Sequence, residues 1–136
     1  MELLRVLVAD RNDAFRATLV ELLKTQEMIG VVEQAKSGRE AILLSYHQRP
    51  HLIFLDHNIT STSKLNVIAE MRRVSPDTRI VVMTLQDSET CRTLKNILNV
   101  EACLSKENVK REMLTVLGNL PTSPGKNHAS RSPRPS

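Results

Sequence analysis

The sequence predicts an α/β fold, a doubly wound parallel sheet of five strands, on three observations. Short apolar runs alternate with amphipathic stretches five times, the pattern of repeated βα units. The third run, His51-Leu-Ile-Phe-Leu55, is almost continuously apolar, as a central strand buried on both faces must be. The runs stop at polar residues, which places polar chemistry along the carboxyl edge of the sheet, where open α/β sheets bind their ligands.

The first strand reads from Leu4 to Ala9 and ends at Asp10-Arg11-Asn12-Asp13, a polar turn able to cap the helix that follows. That helix sets Phe15, Leu19, Leu22 and Leu23 on one face. A second strand runs from Val31 to Ala35. Ser37-Gly38-Arg39-Glu40 then has capping-box spacing, with the serine oxygen on the Glu40 amide and the Glu40 carboxylate reaching back. Its helix carries Ala41, Ile42 and Tyr46 as apolar positions. The third strand ends at Asp56, and His57 to Ser63 read as a polar loop. A helix resumes with Val67, Ile68, Met71 and Val74, and Ser75-Pro76-Asp77 breaks it. The fourth strand is Arg79 to Thr84. Asp87 caps the next helix, whose apolar positions are Cys91, Leu94 and Leu98. A short fifth strand, Ala102 to Leu104, stops at Ser105-Lys106. The last helix presents Val109, Met113, Val116, Leu117 and Leu120.

Composition sets the outer limits. The chain of 136 residues suits one compact domain. Residues 1–120 are expected to fold, and 121–136 to form a basic, Pro/Ser-rich disordered tail. The formal charge of +4 belongs largely to that tail, which holds Lys126, Arg131 and Arg134 and no acid. Aromatic residues are 2% of the chain, so the core is aliphatic, and their scarcity argues against a base-stacking surface for single-stranded nucleic acid. The two cysteines, Cys91 and Cys103, form no CxxC pair and suggest no disulfide framework. The opening MELLRVLVAD is too short for a secretory or membrane segment, so a cytoplasmic location is expected.

Three strand ends deliver a carboxylate at Asp56, a hydroxyl at Thr84 and an amine at Lys106. Asp10 adds a second carboxylate, and a hard cation such as Mg²⁺ takes oxygen ligands of this kind. An aspartate that attacks a phosphoryl group needs such a surround, because the protein must stabilise charge on the transferring oxygens.

In this order the stretches VLVAD, HLIFLDHN, RIVVMT and ACLSK resemble the first, third, fourth and fifth strands of the receiver domains of two-component response regulators. The resemblance runs from about Leu4 to Leu117 and is nearest to receivers that precede a helix-turn-helix output domain; none is evident here, so a stand-alone receiver is expected. It implies the flavodoxin-like (βα)5 receiver fold. It also implies Asp56 as phosphoacceptor, Asp10 as an acid of the metal site, Asn58 as a backbone-carbonyl metal ligand, Thr84 as the switch hydroxyl and Lys106 as the phosphate-pairing lysine. Mg²⁺ is the implied cofactor. A histidine kinase or phosphotransfer protein and a downstream protein are the implied partners, and homodimers through the fourth or fifth helix are common in the family. The implied role is signalling, not enzymatic turnover of a substrate.

The departures point the other way. Arg11 stands where the family has its second acid, a change of two charge units beside Asp56. Arginine cannot ligate Mg²⁺, so metal affinity is expected to be weakened, with Arg11 turned inward onto Asp56. Leu85 replaces a small residue and Cys103 a common switch aromatic, and the loop after Asp56 lacks the family's Pro and Gly. A pseudo-receiver that binds partners without phosphorylation is therefore the alternative. A flavin protein of similar architecture is disfavoured, because Asp10-Arg11-Asn12-Asp13 is a poor anion cradle. Nucleic-acid binding and membrane association are not expected.

Overall fold

The structure, a computed structural model, describes residues 2–62 and 65–120. The tail expected over 121–136 lies outside the described residues. Five strands, β1 (Leu4–Ala9), β2 (Ile29–Ala35), β3 (Leu52–Asp56), β6 (Arg79–Thr84) and β7 (Ala102–Ser105), form one parallel sheet in the order β2-β1-β3-β6-β7. Five helices connect and follow them: α1 (Asp13–Lys24), α2 (Gly38–Gln48), α3 (Val67–Val74), α4 (Ser88–Leu98) and α5 (Val109–Gly118). The expected fold class is the observed one. Among the described residues, no helix is long and apolar enough to cross a membrane.

Strand alternation builds two cores. Val6, Val8, Leu52, Phe54, Val81, Met83 and Leu104 face α1 and α5, packing on Leu19, Leu23, Met113 and Leu117. Leu7, Ala9, Ile53, Leu55, Ile80 and Val82 face the opposite way, onto Ala41 of α2 and Val67, Ile68 and Met71 of α3. This is why the β3 run has no polar gap: all five of its residues are buried, because each pleat face meets a helix layer.

The helices α1, α2 and α4 begin where the sequence places caps, α3 begins at a further cap, Asn66, and α5 has no side-chain cap. Asn12, Ser37, Asn66 and Asp87 each accept a hydrogen bond from the backbone N–H three residues on, at 2.9–3.1 Å. The capping box at α2 differs in one respect. The Glu40 carboxylate accepts from the Lys36 N–H at 2.6 Å, one residue before the cap. At the other ends, α2 and α4 stop on left-handed residues, Arg49 and Asn99. Arginine side chains satisfy the carbonyls there: Arg5 donates to Gln48 and Arg49, and Arg72 to Leu98 and Asn99.

Two sequence expectations are corrected. Tyr46 is 55% exposed, and Ser45 takes the buried position on α2. The stretch His57 to Ser63, expected as a plain loop, instead holds a 3₁₀ turn, His57–Ile59, and a strand β4 (Ser61–Thr62) that pairs antiparallel with β5 (Leu65–Asn66); Ser63 lies outside the described residues. Strands of two residues carry no periodicity to read.

Gly38 marks the closest approach of α2 to α3. A Cβ there would stand 2.5 Å from Val67 Cγ2 and 3.3 Å from the Ile59 carbonyl oxygen. Val67 is β-branched and held in one rotamer on its helix, so it cannot swing aside. Gly38→Ala is therefore expected to cost about 1–3 kcal/mol through overpacking, against the gain in helix propensity alanine brings elsewhere. Urea unfolding would show it. An unchanged midpoint would mean that α3 slides freely past α2.

Candidate functional site

Asp10 follows β1, Asp56 closes β3, Thr84 closes β6 and Lys106 follows β7. Parallel pairing brings these four chain positions to the same edge of the sheet. Both carboxylates are buried, at 1% exposure for Asp10 and 4% for Asp56. Lys106 reaches over from β7 and bridges them: its Nζ lies 2.7 Å from Asp10 Oδ2 and 3.1 Å from Asp56 Oδ1. The same ammonium sits 4.6 Å from the centroid of the Phe15 ring of α1, a cation–π contact that fixes it from a third side. Among the described residues, Asp10 Oδ2 has no hydrogen-bond partner apart from this ion pair.

Each group is held from behind. Asp10 Oδ1 accepts from the Asn12 N–H at 2.9 Å. The Ser105 N–H, beside Lys106, donates to Glu112 of α5 at 2.8 Å. Thr84 is 4% exposed, and its hydroxyl oxygen accepts from the Gln86 N–H at 3.1 Å, which shapes the turn into α4. No hydrogen bond joins Thr84 to Asp56 among the described residues. Asn58 lies exposed in the 3₁₀ turn just after Asp56.

Arg16 is the site residue that sequence reasoning missed. Its guanidinium is buried on α1 and donates to the Asp10 carbonyl oxygen at 2.6 Å, to Asp13 Oδ1 at 2.7 Å and to Gln34 Oε1 at 3.0 Å. It thereby pins the loop carrying Asp10 and Arg11. The pairing with Arg16 is the first cause that holds the Asp13 carboxyl below its ordinary value, and Lys36 adds to it. The Asp13–Arg16 spacing of three residues was the available signal.

Arg11 does not turn inward. It is exposed and forms no ion pair among the described residues, so the expected Arg11–Asp56 contact is corrected: Lys106 takes that place. The backbone explains it, because the Asn12 cap and the Arg16 bond hold residues 10–12 with the position-11 side chain on the outside. Leu85 is 67% exposed, so its bulk is not packed into the site.

Two buried carboxylates, one of them with an oxygen free of hydrogen bonds, fit a hard divalent cation. The set is thin, however. Among the described residues no group of three or more His, Cys, Asp or Glu side chains could hold a metal ion, which is what an arginine at the second acid position leaves behind.

Comparison with known proteins agrees with this arrangement. The family model described as response regulator receiver domain matches residues 6–117. The response regulator GacA of Pseudomonas protegens is 28% identical over 87 residues, covering 64% of this chain and 41% of that protein, so the match spans well under half of the relative's length. Among solved structures, the signal receiver domain of the putative response regulator NarL from Mycobacterium tuberculosis superposes with a TM-score of 0.70 at 22% identity. It covers 88% of this chain and 100% of that one. A response regulator protein from Burkholderia pseudomallei, solved with a phosphorylated aspartic acid, calcium ion and citrate, superposes with a TM-score of 0.68 at 26% identity, over 94% of this chain and 72% of that one. A family match over that span, on a sheet with this strand order, places the molecule: the chain belongs to the response regulator receiver domain family.

Proposed function

We propose that this receiver accepts a phosphoryl group on Asp56 from a histidine kinase or phosphotransfer protein, and that the modified form changes its affinity for a downstream protein. The observation that carries the reading is the Lys106 ammonium bridging Asp10 and Asp56 at the end of a fully buried central strand. An Asp56 carboxylate oxygen attacks phosphorus, the new P–O bond forms, and the bond to the donor's histidine nitrogen breaks. Lys106 supplies a positive charge to the phosphoryl oxygens as they pull away from the donor. Thr84, at the end of the neighbouring strand, is the hydroxyl placed to answer the new charge, and its bond to the Gln86 N–H links that answer to the start of α4. Mg²⁺, held by Asp10, Asp56 and the Asn58 carbonyl, would neutralise charge on the transferring group. Arg11 weakens its hold. The phosphorylated aspartic acid and calcium ion of the Burkholderia pseudomallei relative support the reading.

A second reading rests on Arg11. With a cation where the family carries an acid, the chain acts as a pseudo-receiver, binding its partner whatever the state of Asp56. Amide NMR of the labelled protein with Mg²⁺ and then beryllofluoride, a mimic of aspartyl phosphate, separates the two. Shifts at Asp56, Thr84 and Lys106 that vanish in Asp56→Asn are expected. Silence with both reagents in excess would overturn phosphoacceptance and leave the pseudo-receiver.

A further inference from the structure

Cys91 and Cys103 stand twelve residues apart and share neither motif nor strand, yet the fold brings their sulfurs together. Cys91 lies in the first turn of α4 and Cys103 on β7, and the Cys103 thiol donates to Cys91 Sγ at 2.6 Å. Both are free thiols. From this we propose that Cys91 and Cys103 form a reversible intramolecular disulfide that fastens α4 to the sheet. The inference is independent of whether Asp56 is phosphorylated.

The anchoring of α4 gives the bond its consequence. The other helices each bury three or more residues, such as Leu19, Val20 and Leu23 on α1 or Met113, Val116 and Leu117 on α5. On α4 the one buried residue is Cys91, while Ile97 is 71% exposed. A helix held so shallowly opens locally at low cost. A covalent tie at its single buried point removes that freedom, and with it the mobility of the segment that follows Thr84.

A small oxidant has a way in. A surface cavity of about 270 Å³ is lined by Lys95, Ala102, Cys103 and Glu112, and an adjoining one of about 230 Å³ touches both cysteines. With hydrogen peroxide, one thiolate sulfur attacks a peroxide oxygen, the O–O bond breaks, and a sulfenic acid and hydroxide result, the hydroxide taking a proton to become water. The second sulfur then attacks the first, the S–O bond breaks, and a second water leaves. The two sulfurs lose two electrons in all and the peroxide gains them. Burial pushes both thiols above their ordinary pKa, most strongly Cys103; Glu112 of α5 acts in the same direction on both, and Asp87 at the start of α4 on Cys91. Lys95 and Arg92 border the cavities with opposite charge. Thiolate is therefore scarce at neutral pH, and oxidation quickens as pH rises, by about tenfold per unit while the thiols remain mostly protonated.

The test uses the full chain treated with hydrogen peroxide at pH 7 and pH 9. Trypsin cuts after Arg92 and Lys95, so the two cysteines leave on separate peptides unless joined. The expected result is a linked peptide pair, a protein lighter by two hydrogen atoms, and reversal by dithiothreitol. Hydrogen exchange over α4 should slow by about tenfold on oxidation while α1 is unchanged. Separate peptides carrying sulfinic or sulfonic acid would overturn the proposal, as would a linked pair with α4 exchange unaltered. Because the readout is on the unmutated protein, it does not depend on a cysteine variant folding.

Discussion

Lys106→Met is expected to lower the unfolding free energy by about 3–5 kcal/mol at neutral pH, the cost of removing one partner from a buried ion pair. Methionine keeps an unbranched apolar side chain one atom shorter and removes the ammonium, together with its contact over the Phe15 ring. What remains is a pair of carboxylates at 1% and 4% exposure that repel each other. Asp10 Oδ2 also loses the one ion pair it makes among the described residues. If the ammonium is what makes two buried acids tolerable, removing one acid should return much of the loss, so the double variant Lys106→Met/Asp56→Asn should be more stable than Lys106→Met alone. Urea unfolding of the four proteins closes the cycle. A single-variant loss below about 1 kcal/mol, the range of an exposed ion pair, would show that water solvates the two carboxylates, and the electrostatic picture of the site would fail. The same substitution should also abolish the response to beryllofluoride if Lys106 carries the phosphoryl charge.

The second large effect is a gain. Arg11→Asp should tighten Mg²⁺ binding by about 100-fold, since it adds an oxygen ligand and shifts the local charge by two units beside Asp10 and Asp56. Arg11 makes no ion pair among the described residues, so its removal breaks no contact seen there. Three acids at one edge should make the metal-free variant less stable than the natural chain, and Mg²⁺ should raise its Tm in proportion to its tighter binding. Isothermal titration gives the affinity directly. An unchanged affinity would mean that position 11 is turned too far outward to reach a cation at Asp10, and that the Asn12 and Arg16 contacts, not the residue type, limit the metal site.

The fold was legible in the sequence because its signals are local. The uninterrupted run Leu52–Leu55 announces a strand covered on both faces, and the spacing of Leu19 and Leu23 announces the face of α1 that covers it. The caps at Asn12, Ser37 and Asp87 need only a side chain and a backbone N–H three residues away. The strand-end residues Asp10, Asp56, Thr84 and Lys106 could likewise be assigned to one edge, because parallel topology carries the end of every strand to the same side.

Which of those residues touch was not legible. Lys106 bridges Asp10 and Asp56 across gaps of 96 and 50 residues, Arg16 turns back onto Asp10, Arg11 turns away, and Cys91 meets Cys103. Hydrophobic periodicity reports the face a residue occupies and says nothing of its rotamer or of the side chain that arrives opposite from another strand. By itself the sequence determined the sheet, its helices and the set of polar residues at its edge. Only the tertiary structure decided their pairing, because an ion pair or a thiol contact depends on side-chain directions set by packing between elements that the chain keeps far apart.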